Sequence, residues 1–438
     1  MRKALAASSL LVALPIAVLS GCSSSRGEEG APSSNPLAGD VSPTEAQRVQ
    51  AFLDGRYLAS DVRHSFRSAL GQDVDCIDFD AVPGVRALHA AGLPVPEAPP
   101  PPHHRAEDPP ARSTPPAWVP DGTPDAQGRA RACPKGTVPQ ARITAADVEA
   151  AGGLDAYEAP PPPLPPEAAG YAHVTAVWDN VGGINTGYDT FSIENPALGS
   201  GGHSLSQSWM FSGSKRLACN GSNAATCCNP GDPQCEQTVE VGWIKDRTAA
   251  GSTRPYIFTY ATNNGYLSSG SCYNGASFPG CPTWVPGAQS PFFVGETLPA
   301  SDISVAGGAQ HEMTAITYNS GAGTWCIEIA VDGWYSMLGC YTGFTGLMST
   351  TAQYFQVGGE VQSSSGFAGE EMGAPNGDVW WGFPFAAYHR NFAVYEPDTS
   401  DFSSTPSYMR NTVPGSFASN TTSPKQSGWT SYFFYGGR

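Results

Sequence analysis

Residues 238–244 read Thr-Val-Glu-Val-Gly-Trp-Ile (TVEVGWI). Side chains of a strand point alternately to its two faces, so Val239, Val241 and Trp243 fall on one side and Thr238, Glu240 and Gly242 on the other. A second run, YFQVGGEV at 354–361, repeats the arrangement. There Phe355, Val357 and Val361 make the packed face, while Tyr354, Gln356, Gly358 and Glu360 point away. Each glutamate has a glycine two positions along on its own face, and glycine inside a strand marks a bulge or the close approach of a ligand or another backbone. If the two strands share a sheet, Glu240 and Glu360 stand over a floor without side chains, with Gly242, Gly358, Gln356 and Tyr354 as candidate substrate contacts and Trp381 and Tyr388 as further ones.

Working outward, residues from about Tyr171 to the end keep this texture, with short alternating runs separated by Gly, Asn and Asp turns and no long helix. Charged residues make up only 14% of the chain, beside 50 Gly and 40 Pro, a balance that favours many short strands. The expected fold is mainly β, an antiparallel two-sheet β-sandwich. A net charge of −16 argues against nucleic acid as a partner.

The amino terminus reads as an export signal. Arg2 and Lys3 precede an apolar run from Ala4 to Leu19 that ends in Leu-Ser-Gly-Cys at 19–22, the form of a secretory signal with a lipoprotein cleavage box. It resembles bacterial lipoproteins, so residues 1–21 are expected to be removed and Cys22 lipidated. The expected location is the bacterial cell envelope, or the exterior after processing, with the membrane as partner through this lipid. Of eleven cysteines, lipidation of Cys22 leaves an even number, which suits an oxidising compartment. WCIEIAV and WYSMLGC flank Asp332-Gly333, a strong hairpin signal; with a one-residue bulge at the turn, Cys326 falls opposite Cys340. Cys272 with Cys281 would close a short loop and Cys76 with Cys133 would span the amino-terminal region. The pairing among Cys219, Cys227, Cys228 and Cys235 stays open.

Proline-rich and small-residue tracts then divide the chain into a tether (22–44), an activation region with a Pro-rich insert (45–158), a linker containing PPPPLPP (159–170) and the sandwich (171–438). Within the second of these, residues 44–71 carry apolar side chains at three- and four-residue spacing and predict a helix. Thr144 is placed to cap another, in ITAADVEAAGG.

Several separate motifs together resemble the neprosin family of glutamic, proline-specific peptidases. VDCIDFDAVPGVRA and CPKGTVP are similar to the family's activation region. SLSQSWM, VEVGW, FTYATNNGY, CYN, YFQVGGEV, AAYHRNFAVY and SYFFYGG follow in family order. The resemblance implies that Glu240 and Glu360 are the catalytic pair, that cleavage follows proline, and that prodomain removal activates a zymogen. The chain departs from the family pattern at His389, which stands where an aromatic residue is expected, in the insertion carrying Cys219 to Cys235, and in the added Cys326 and Cys340.

Two carboxyls held close cannot both ionise cheaply, so the pair is expected to share a proton over an acid range. One acts as base toward water and the other as proton donor, in either assignment, without an acyl-enzyme. The expected activity is an acid endopeptidase that needs no cofactor or metal, takes proline-rich proteins or peptides, and works as a monomer. Self-cleavage between Ala159 and Ala169 would free the sandwich from its lipid. No GxSxG occurs, and Ala315 replaces the second histidine of a zinc-protease motif beginning at His311-Glu312. Two alternatives use the same residues differently: a two-carboxylate glycosidase, and a non-catalytic carbohydrate-binding lipoprotein in which Trp380, Trp381 and Tyr388 line a groove.

Overall fold

The computed structural model describes residues 44–96, 115–116, 118–119, 122–150, 153–154, 157, 170–199, 202–214, 228, 234–246, 254–266, 271–275, 281–288, 290–363, 366–375, 378–398 and 401–437. The leader, Cys22, the tether, the proline tract of the linker, Cys219 and Cys227 lie outside them. None of the described helices is long and apolar enough to cross a membrane.

Residues from Thr44 onward make one compact unit. It opens with helix α1 (Glu45–Arg56), whose cap is the reciprocal pair Thr44 and Gln47, followed by β1 (Val62–Arg67), β2 (Asp73–Asp78), α2 (Pro83–Ala90), β3 (Thr137–Ala141) and α3 (Ala145–Ala150). Thr144 accepts from the Asp147 amide at the start of α3. The helix expected over 44–71 therefore stops at Arg56. The spacing of Leu58, Val62 and Phe66 suits a helix, but Val62 to Arg67 also has a partner at hand in Asp73–Ile77, and ladder formation prevails.

The strands that follow are β4 (Tyr171–Ile184), β5 (Thr186–Ser192), β6 (Gly202–Ser212), β7 (Gln237–Asp246), β8 (Tyr256–Thr262), β9 (Ser271–Tyr273) and β10 (Thr283–Pro286). After them come β11 (Glu312–Gly321), β12 (Thr324–Val331), β13 (Trp334–Thr342), β14 (Ala352–Ser363), β15 (Ala387–Glu396), β16 (Asp401–Ser403), β17 (Tyr408–Asn411), β18 (Ala418–Asn420) and β19 (Tyr432–Gly436). Two antiparallel sheets result, one ordered β17-β4-β14-β6-β7-β8-β9 and the other β10-β13-β12-β11-β5-β15-β19-β18 with β16 on β15. The mainly β sandwich is thus the observed fold.

The side chains predicted to pack do so: Val239, Val241, Trp243, Phe355, Val357 and Val361 all belong to one core between the sheets. Trp243 spans it and donates its indole N–H to the Ser192 carbonyl of the facing sheet at 2.8 Å. The sheets approach closely at Gly187, where a Cβ would come within 2.4 Å of the Phe355 ring, and at Gly359, where one would come as near the Tyr435 ring. Disulfides join Cys76 to Cys133, Cys228 to Cys235, Cys272 to Cys281 and Cys326 to Cys340. The last sits opposite itself in the β12–β13 ladder as expected, but the turn is a tight two-residue one with Asp332 and Gly333 both at positive φ. The extra residue is absorbed further up the ladder, between Ile327 and Glu328.

Candidate active site

Strand order decides the site. β6 lies between β14 and β7, and its register sets three rows on the sheet face turned away from the core. Trp209 has Gln356 on one side and Glu240 on the other; Gln207 has Gly358 and Gly242; Leu205 has Glu360 and Ile244. Glu240 and Glu360 are thus both diagonal neighbours of Gln207, a relation that long side chains bridge. Sequence analysis did not single out Gln207, although SLSQSWM carries it. Of the readings offered for the glycines, the close approach of another backbone is met: a Cβ at Gly242 would sit 2.0 Å from the Ser206 carbonyl oxygen, and one at Gly358 would sit 2.2 Å from that of Val174. They permit close strand packing on either side of Gln207, whose side chain occupies the floor between them.

The two carboxyls make separate attachments and do not hydrogen-bond each other. Tyr266 donates its hydroxyl to Glu240 Oε1 at 2.9 Å, Thr238 Oγ1 lies 3.4 Å from the same oxygen, and the Gln207 side chain hydrogen-bonds the carboxyl. Burial, followed by repulsion from Glu360, pushes the Glu240 pKa up to about 8. Glu360 lies between two imidazoles, with His173 Nε2 2.9 Å from Oε2 and His203 Nε2 2.7 Å from Oε1. Burial pushes its carboxyl up, but attraction and hydrogen bonding from His173, and then from His203, outweigh this and hold it well below the ordinary carboxylate range. One member of the pair therefore keeps its proton while the other gives it up. The two environments thus push the carboxyls in opposite directions, Glu240 upward and Glu360 downward.

The face read as open is covered. Glu240 is 6% exposed and Gln356 7%, and Leu205, Trp209, Ile244, Phe258 and Tyr260 form a buried cluster there. Tyr354 stacks on Phe211 at its margin, with ring centroids 4.8 Å apart. Gln356 spends its amide on Thr175 Oγ1 at 3.0 Å. Tyr157, from the segment before the linker, is within electrostatic reach of Asp246 and Tyr273 at one end of this face.

Tyr388 is not a substrate contact. It lies on β15 in the other sheet, fully buried, and donates its hydroxyl to Glu312 Oε1 at 2.9 Å. Its alternation within β15 fitted either side of the strand, and sheet membership was invisible. Trp381 is exposed, but on the 378–385 segment before β15, edge-on to Phe385 rather than beside either glutamate. A groove shared by Trp380, Trp381 and Tyr388 is therefore not formed. His311 Nδ1 pairs with Asp332 Oδ2 at 2.8 Å.

His389 has acquired a different setting. Its Nδ1 is 2.8 Å from Asp189 Oδ2 and its Nε2 is 3.0 Å from Ser206 Oγ. This is the bonding order of a Ser-His-Asp triad, but all three side chains are sealed between the sheets with no measurable exposure. No acyl group can reach Ser206, so the array ties β6, which carries Gln207, to the facing sheet. A serine-directed phosphonylating reagent should leave mass and activity unchanged; a stable adduct at Ser206 would contradict this.

Fold and face together define a two-sheet antiparallel β-sandwich carrying a split-pKa glutamate pair on one sheet. The sequence profile of the neprosin family matches residues 203–438, more than half of the chain, and the chain belongs to that family. Membership supports a glutamic-type peptidase. Among solved structures, the chain is similar to scytalido-glutamic peptidase with a transition-state analogue inhibitor (8% identity over 54% of this chain and 84% of that one, TM-score 0.27). It is also similar to an eqolisin-family peptidase in complex with a tripeptide (7%, 54% and 83%, 0.25) and to an alginate lyase (13%, 42% and 59%, 0.21). Likenesses this low assign no role to any residue of this chain.

Proposed function

We propose that this protein is a glutamic endopeptidase that cleaves after proline in acid, with Glu360 as base and Glu240 as acid. The observation that carries the reading is the placement of two buried carboxyls diagonally either side of one side-chain amide, Glu240 bonded by the Tyr266 hydroxyl and Glu360 held between two imidazoles. A water between them loses a proton to Glu360 as its oxygen attacks the scissile carbonyl carbon, while Glu240 protonates the carbonyl oxygen. Collapse of the resulting diol breaks the C–N bond: the departing nitrogen takes the proton held by Glu360, and the diol hydroxyl returns one to Glu240. Atoms and charge balance without a covalent enzyme intermediate. Gln207, diagonal to both glutamates, is the side-chain amide we assign to the oxygen on which charge develops.

Cleavage after proline, lipidation at Cys22 and activation by a cut between Ala159 and Ala169 belong to the same reading, and rest on the family and on the sequence. Burial of the substrate face, with Tyr157 at its rim, supports a precursor that must be opened. Intact mass after acidification tests self-processing: the wild-type chain should be cut in the proline tract and a Glu360→Gln chain should not. A wild-type chain that stays full length, or a variant cut equally fast, would refute it.

Glu240 must be protonated, so the rate falls as pH rises through its pKa. Since burial is the largest cause of its elevation, opening the face should move this limb below about 8. Glu360 must be ionised, so the rate falls as pH drops through its pKa. Replacing His203 by Gln removes a cation-capable partner, allows burial to push Glu360 up, and should shift the acid limb upward by about 1 unit or more. An unshifted acid limb would show that His203 does not set the base.

A further inference from the structure

The boundary between residues 45–157 and 171–438 exists in the sequence and is absent from the packing. Ile77, Val82, Val85, Leu88 and Val138 of the first segment form one buried cluster with Val285 of β10. Phe66, Val74 and Cys76 form another with Phe293. Helix α2 meets β10 so closely that a Cβ on Gly84 would lie 2.0 Å from the Trp284 carbonyl oxygen. Gln72 grips the backbone of the second segment at two points, donating to Gly295 O and accepting from Thr297 N, both at 3.0 Å. Trp118 and Val119 are part of the main sandwich core itself. The Trp118 ring lies 5.7 Å from Phe292, and its indole N–H donates to the buried Asp302 carboxylate.

We propose that cutting the chain in the 159–170 linker does not release the amino-terminal fragment. The cut protein is a noncovalent two-chain complex, in which residues 45–157 complete the hydrophobic core of 171–438. Both apolar clusters of the first segment are completed by a side chain of the second, so its departure would expose Val285 and Phe293 and vacate the Trp118 site in the core. The contacts are mostly apolar and so persist when carboxylates are protonated. Every described disulfide lies within one side or the other, Cys76 to Cys133 in the first and the remaining three in the second. No described disulfide therefore joins the two sides, and buried apolar surface with a few hydrogen bonds holds them together. It follows that a lipid on Cys22 would still retain the catalytic segment after the cut, against the expectation that cleavage frees it.

The proposal goes beyond the proposed activity and is tested without it. A recognition sequence for an unrelated specific protease is placed in the 159–169 segment of a Glu360→Gln chain, which is folded intact and then cut to completion. Native size-exclusion chromatography and native mass spectrometry, at neutral pH and in the acid range, should find both fragments in one species of the uncut mass, separable only by denaturant. The same cut in a Trp118→Ala chain should give a fragment that dissociates at least about tenfold faster. A small fragment that elutes alone from the Trp118 form would overturn the proposal. Dissociation unchanged by Trp118→Ala would overturn the role of that anchor.

Discussion

Glu360→Gln and Glu240→Gln should each reduce kcat on a peptide substrate by at least about 10³-fold while leaving the fold intact, since a positioned acid or base contributes about 10²–10⁴ and each variant here strands its partner as well. Glutamine fills the space of either glutamate. At position 360 it still meets His173 and His203 but has no basic oxygen to accept a water proton. At position 240 it still meets Tyr266 and Gln207 but has no acidic proton to give. The two losses should not multiply in the double variant, because acid and base act in one step. KM should change little, since glutamine keeps the shape and the polarity of either side chain. A variant retaining a tenth or more of wild-type kcat would remove that residue from the chemistry.

Trp243→Ala should be the most destabilising single change near the site. The side chain is fully buried in the core between the sheets, and emptying such a site costs about 3–5 kcal/mol. The Ser192 carbonyl, which accepts its indole N–H across the sandwich, is orphaned as well. For a domain of this size the melting temperature should fall on the order of 10 °C. Trp243→Phe, which keeps a ring but loses the donor and part of the indole's volume, should cost less, about 1–3 kcal/mol. Thermal unfolding followed by circular dichroism separates them; equal melting temperatures for Trp243→Ala and wild type would mean the indole is not the inter-sheet tie that its contacts indicate.

Sequence and structure agree where a pattern is local. The alternation in 238–244 and 354–361 is set by which side chains must leave water, so Val239, Val241 and Trp243 reach the core as read. The hairpin at Asp332-Gly333 follows from residues that tolerate positive φ. What escaped was whatever depends on a third strand. Gln207 becomes central only because β6 inserts between β7 and β14, and His173 and His203 reach Glu360 from 187 and 157 residues away. Nothing in a histidine's immediate neighbours signals that. Tyr388 was misplaced for the related reason that alternation assigns a residue to one side of its strand but not to a sheet. His389 was visible as a departure from the family pattern, yet its link to Asp189 and Ser206 required the two sheets to be stacked.

A single digest tests the assignment of Glu240 and Glu360 most directly. The wild-type chain, cut in its linker, is incubated in acid with a defined unfolded protein beside Glu240→Gln and Glu360→Gln, and the products are read by mass spectrometry. New carboxyl termini at proline in the wild-type lane, absent with either variant, are the predicted result. Peptide cleavage that survives in either glutamine variant, or a wild-type lane in which the substrate stays whole, would contradict it.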